Sequence, residues 1–206
     1  MDHDAARAFM VDNQVRTSDV QDRRLIHALG ATPREAFLPE ALKPLAYVDR
    51  ALETGAGRWL WPVRDFAKLA QAAQVTAQDR ILDIAPGSGY STVILAQLGA
   101  FVTALEEDAG RAGALSARLE SLAPGRAAVR TGPLKAGWPG DGPFDVIWVN
   151  GSVEVVPDAW LNQLAEGGRL AAIVQERGVG RASIYTRAGG RSAAIHPFES
   201  GVHPLP

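Results

Sequence analysis

The 206-residue chain contains no cysteine, which excludes disulfides, thiolate metal sites and cysteine nucleophiles. It also lacks a strong charge of either sign: 21 Lys and Arg against 23 Asp and Glu leave a net charge of −2. Such a balance provides no basic field for a nucleic-acid backbone or an anionic membrane, so neither partner is favoured. No apolar run approaches the roughly 18 residues needed to span a bilayer. The opening MDHDAARAFMVDNQVR is too polar and acidic for a signal peptide, so a cytoplasmic location is expected. Histidine is scarce, and His3, His27, His196 and His203 form no i,i+4 pair, so no metal site is expected.

What is present is ordinary for a folded soluble protein: 47% hydrophobic and 21% charged residues. The length suits a single domain over 1–206, with 1–64 as a helical N-terminal extension and loop region and 65–206 as the core. SDVQDRRLIHALG predicts a helix capped by Ser18 or Asp19 and stopped by Gly30. TPREAFLPEAL predicts a second, with Thr32 as cap before Pro33. Asp65 is the expected cap of FAKLAQAAQV.

From Arg80 onward the pattern changes. RILDIA, FVTALE, RAAVRTG, FDVIWVNG and RLAAIV read as strands. GYSTVILAQLG, DAGRAGALSARLESL and PDAWLNQLAEGG read as helices between them. That alternation predicts an α/β fold with a doubly wound, mostly parallel sheet covered on both faces. RASIYTRAGGRSAAIHPF adds a C-terminal antiparallel hairpin through AGG.

ILDIAPGSGYS is a strand running into a small-residue turn that opens a helix, where ligands collect in open parallel sheets. Gly87 and Gly89 let backbone approach a ligand, although the third glycine of G-x-G-x-x-G is missing and Pro86 removes a donor. Glu106 ends the next predicted strand, 17 positions after Gly89, where an acid can accept hydrogen bonds from two ribose hydroxyls. Glu107 and Asp108 suit a helix N-terminus instead. Aromatics are only 7% of the chain, yet Trp59 and Trp61 stand two apart in GAGRWLWPV. In an extended segment they share a face, with Leu60 on the other.

PREAFLPEAL, ILDIAPGSGYSTVILAQLG, FVTALE and GPFDVIWVNGSVEVVPDAWLNQLAEGGRL resemble consecutive segments of protein-L-isoaspartate O-methyltransferases, from about Asn13 to about Val174. The resemblance implies a fold of the S-adenosylmethionine-dependent methyltransferase type, with S-adenosylmethionine as donor and S-adenosylhomocysteine as product. It implies carboxyl methylation in repair of damaged proteins, with a protein or peptide as acceptor. Implied donor contacts are Asp83, Ala85, Gly87, Ser88, Gly89, Glu106, Gly132, Leu134 and Asn150.

Three departures from the family pattern stand out. Its acceptor loop reads G-x-G-x-T-[IV]-S-x-P, and the Thr and Ser positions here are Trp59 and Trp61, flanking Leu60. No catalytic residue is assigned, and the loop is read as closed, as rebuilt for a flat or cationic acceptor, or as packing away from the site. The family's G-D-G, whose acid contacts adenine, is here Gly132, Pro133 and Leu134. Ala85 stands where the family has glycine. A divergent methyltransferase and a non-catalytic family member that binds donor, product or a protein partner are both compatible with these residues. A nicotinamide reductase is disfavoured by the missing glycine.

Overall fold

The computed structural model describes residues 2–205. The N-terminal part carries α1 (His3–Met10) and α2 (Arg23–Ala31), short 3-10 segments at Arg34–Phe37 and Glu40–Leu45, and a small hairpin of β1 (Leu52–Gly55) and β2 (Arg58–Leu60). Then follow α3 (Val63–Ala73), β3 (Arg80–Ile84), α4 (Tyr90–Leu98), β4 (Phe101–Glu106), α5 (Ala109–Leu122) and β5 (Ala127–Thr131). The chain continues through β6 (Phe144–Val153), α6 (Asp158–Leu161), β7 (Leu164–Glu176), β8 (Val179–Ala188) and β9 (Arg191–Ile195).

The main sheet has the order β5-β4-β3-β6-β7-β8-β9. Pairings from β5 to β7 are parallel, and β7-β8-β9 are antiparallel. The expected α/β sheet with its C-terminal hairpin is therefore present. Alternate side chains of each central strand enter different cores, as period-2 geometry requires. Ile81, Val102, Val146 and Trp148 face α2 to α5, whereas Leu82, Leu105, Ile147 and Val149 meet Trp160 of α6 on the other side. β3 has β4 on one flank and β6 on the other, so chain order reverses there. The crevice outside the carboxyl ends of these strands is the expected ligand position.

Several local expectations are corrected. The helix predicted over 157–168 is a single turn, Asp158–Leu161, and β7 begins at Leu164. Gly167 adopts φ +76°, and a Cβ on Gly168 would lie 2.9 Å from the Phe144 carbonyl oxygen, so EGG serves close strand entry rather than a helix end. α2 is capped by Asp22, whose carboxylate accepts from the amides of Arg24 and Leu25, and not by Ser18 or Asp19. TPREAFLPEAL forms the two 3-10 segments, interrupted by extended Leu38 and Pro39. Asp65 lies inside the first turn of α3, whose N-cap position is Pro62, and it accepts instead from Ser200 Oγ at 2.7 Å.

After β9 the chain runs back along β8, with Ser200 N–H donating to the Gly180 carbonyl at 2.8 Å. It then crosses to the carboxyl end of β6. Ser152 N–H donates to the His203 carbonyl, and Leu205 N–H to the Ser152 carbonyl, both at 2.9 Å.

Candidate active site

β3 ends at Ile84, and Ala85 to Gly89 turn the chain into α4. Gly87 and Gly89 have φ of +58° and +89°. A Cβ on Gly87 would lie 3.0 Å from Arg58 Cβ, and one on Gly89 would lie 2.5 Å from Leu115 Cδ1. Glycine at these two positions thus lets the β1-β2 hairpin and α5 close against the turn. Ala85 holds the same left-handed region at φ +58°, a strain of about 1–2 kcal/mol for a residue with a Cβ.

Beneath the turn lies a buried polar network. Asp83 Oδ2 accepts from Ser91 Oγ at 2.9 Å and Thr92 Oγ1 at 2.6 Å, and Oδ1 accepts from Asn150 Nδ2 at 2.5 Å. Asn150 also donates to the Ile84 carbonyl and accepts from Trp148 Nε1. Burial pushes the Asp83 carboxyl up to about 7 despite these donors, and the charge of Glu106 adds to the rise. Asp83 and Asn150 shape the turn from within. A register slip between Trp148↔Ala171 and Ser152↔Ile173 turns Asn150 towards β3, the re-aiming that strand irregularities provide.

Glu106 ends β4 and is 0% exposed. Its Oε1 accepts from Gly87 N–H at 2.9 Å and from Arg58 Nε at 3.4 Å. Its Oε2 accepts from Arg58 Nη2 at 3.2 Å and Arg111 Nε at 3.4 Å. Glu107, half exposed, pairs peripherally with the same two arginines. Of the two acids expected at a helix N-terminus, Asp108 caps α5, accepting from Arg111 N–H at 2.8 Å, whereas Glu107 turns to the arginines instead.

Gly132 donates to the Glu106 carbonyl at 3.0 Å and packs against Trp138. Leu134 and Pro133 line a cavity of about 600 Å³, bounded also by Glu107, Ser152, Trp160 and Leu205. Ser88 borders two other cavities: one of about 290 Å³ under the β1-β2 hairpin, and one of only about 10 Å³ against Trp59, Leu60 and Trp61.

The two tryptophans do not act as a pair. β2 ends at Leu60, so the alternation fails at Trp61, which turns inward. Trp61 is 4% exposed and packs on Trp148 and near Phe66, while its carbonyl accepts from buried Arg34. Trp59 remains half-buried and stacks on His203 at 3.7 Å between ring centroids, 11° from parallel. Arg58, Arg111 and His203 are the site residues that sequence reasoning missed. Arg58 stands inside GAGRWLWPV, but nothing in that stretch names its partner.

The sheet order, the glycine turn at the switch point and the buried acid closing the next strand define the fold of S-adenosylmethionine-dependent methyltransferases. Comparison with solved structures agrees. A protein-L-isoaspartate O-methyltransferase superposes with a TM-score of 0.86 at 21% identity, covering 97% of this chain and 66% of that one. A Plasmodium falciparum protein assigned to the same activity and solved with S-adenosyl-L-homocysteine gives 0.83 at 19% identity, covering 99% and 98%. Residues 6–201 match the sequence profile of the Protein-L-isoaspartate(D-aspartate) O-methyltransferase (PCMT) family. The Methylorubrum populi protein-L-isoaspartate O-methyltransferase is 38% identical over 187 residues, covering 90% of this chain and 87% of that protein. The Yersinia enterocolitica protein of the same name is 39% identical over 164 residues, covering 80% and 79%. The chain belongs to this family, whose methyl donor is S-adenosylmethionine.

Proposed function

We propose that this chain binds S-adenosylmethionine and its product S-adenosylhomocysteine at the carboxyl ends of β3, β4 and β6, and that carboxyl methylation of isoaspartyl residues is weakened or lost in it. The observation that carries the second half is the slot of about 10 Å³ left beside Trp59 and Trp61. The whole chain acts as one methyltransferase-like unit, in the cytoplasm, and any acceptor is a protein or peptide.

On the donor side, Asp83 and Asn150 hold the turn, Ala85 to Gly89 present backbone to the ligand, and Glu106 is the acceptor for ribose hydroxyls. Leu134, beside Gly132, offers an apolar wall for adenine. Pro133 brings no carboxylate there, and loss of one charged hydrogen bond costs on the order of 1.5–3 kcal/mol, roughly tenfold to a hundredfold in affinity. When bound, the donor supplies a methyl group on a sulfonium that leaves without protein assistance. A carboxylate acceptor is already ionised near neutral pH, so the protein has only to align the two and exclude water. Alignment is what the acceptor loop no longer provides. Each indole has one N–H and a large ring where the family has hydroxyls, and a carboxylate beside them loses water without gaining partners.

The test is titration calorimetry with donor and product, combined with turnover on an isoaspartyl peptide. Micromolar or weaker binding with little or no methyl transfer is expected. Robust turnover by the unmodified protein would overturn the second half of the proposal. Replacing Pro133 by Asp and Leu134 by Gly is expected to tighten donor binding, and no change would mean that other groups recognise adenine. A non-catalytic role, binding donor, product or a protein partner, is favoured by the same filled slot. It predicts binding without turnover on any carboxyl acceptor.

A further inference from the structure

The carboxylate proposed to bind ribose is already engaged by the chain itself. A carboxylate offers about four lone-pair positions. Glu106 meets four donors: Gly87 N–H, Arg58 Nε, Arg58 Nη2 and Arg111 Nε. Two of the four come from one side chain, in the side-by-side arrangement that two neighbouring ribose hydroxyls would need. Arg58 is 3% exposed, and its aliphatic stem lies over Gly87, the glycine at which a ligand should come closest to backbone.

We infer that Arg58 is a donor-affinity determinant: its guanidinium takes the ribose positions on Glu106 and must leave before donor or product can bind. This rests on the donor-binding reading above. Three features make the departure feasible. Arg58 lies on the β1-β2 hairpin, a two-stranded ribbon outside the main sheet, and such ribbons are marginal by themselves. The cavity of about 290 Å³ adjoins it, with room for the displaced side chain. The pairing is also incomplete, because Arg58 Nη1 is buried and has no partner among the described residues. Arg111 keeps Glu106 paired after Arg58 departs.

The experiment is calorimetric titration of S-adenosylhomocysteine into the unmodified protein, Arg58→Ala, Arg58→Gln, Glu106→Gln and the double variant Arg58→Ala/Glu106→Gln, each checked for folding by its melting transition. Arg58→Ala is expected to bind about tenfold or more tighter than the unmodified protein. Arg58→Gln, which keeps a neutral donor near Glu106 and most of the side-chain volume, should fall between them and serves if the alanine variant does not fold. The gain should vanish in the Glu106→Gln background, a dependence that general loosening of the hairpin would not produce. Unchanged or weaker binding by folded Arg58 variants, or an equal gain with Glu106 replaced, would overturn the inference while leaving donor binding intact. A crystal structure of the complex with Arg58 still on Glu106 would do the same. No binding by any of the five proteins overturns the donor reading, and the inference with it.

Discussion

The two halves of the site are built from different materials. On the side proposed for the donor, β3, β4 and the glycine turn are joined by charge and hydrogen bonds through Glu106, Arg58, Arg111, Asp83 and Asn150. On the side proposed for the acceptor, Trp61, Trp148, Phe66 and Tyr90 are joined by rings. The side proposed for the donor keeps its polar groups, and Arg58 covers Glu106 there. The side proposed for the acceptor is filled by ring volume instead. On the proposed reading the two sides differ in reversibility: a carboxylate covered by Arg58 returns when the side chain moves, whereas a slot filled by indoles returns only by mutation.

The largest effects should come from breaking one member of each half. Glu106→Ala leaves the buried Arg58 guanidinium only its 3.4 Å contact with Glu107 and should cost about 3–5 kcal/mol of unfolding free energy, whereas Glu107→Ala, at a half-exposed partner, should cost less than about 1 kcal/mol. Equal losses in urea melts would erase the contrast between the two acids. Trp61→Ser should cost about 3–5 kcal/mol through the cavity it leaves, near the loss for Glu106→Ala but by packing alone. If Trp61→Ser proved neutral, the acceptor side would be loosely packed and the slot open to repair.

An intermediate effect belongs to Asp83. Its folded pKa, near 7, lies above the ordinary carboxylate value, so the folded state holds more protons than the unfolded chain between about pH 4 and pH 7. Its contribution to stability should fall as pH rises through that window, by at most about 1.4 kcal/mol per pH unit, and level off above it. Asp83→Asn should lack this component, and identical pH slopes for the two proteins would rule it out. Smaller still, His203→Ala should remove about 0.5–1.5 kcal/mol of ring stacking on Trp59. The smallest change is expected from Ala85→Gly. It relieves left-handed strain but adds unfolded-chain freedom, so its melting temperature should shift by no more than a few degrees.

How much of this was legible in the sequence depended on the range of the interaction. The strand-turn-helix at Ile81 to Ser91 and the acid at Glu106 are local patterns, and the structure places both at the crevice. The pattern over 157–168 predicts a longer helix than forms because QLAEGG has helical composition up to its glycines, while the close approach of Gly168 to Phe144 is a tertiary fact. Trp59 and Trp61 were expected to share a face, and the strand ended one residue too soon for that. Arg58 was missed because its meaning lies in a carboxylate 48 positions away. His203 is one of four isolated histidines in the sequence, and its stacking on Trp59 depends on a tail whose path no periodicity encodes.

The hydrogen bond from Asn150 to Asp83 joins residues 67 positions apart. It exists only once β6 has come to lie beside β3, with α4, β4, α5 and β5 closed out as an intervening loop. Pairing at that distance is entropically costly and slow, whereas β7-β8-β9 can zip from short turns. The crevice is therefore expected to be the late product of folding, formed after the C-terminal hairpins. In pulse-labelling hydrogen exchange, amides of β8 should gain protection before those of β3 and β6. Simultaneous protection would show that the distant pairing nucleates the whole sheet.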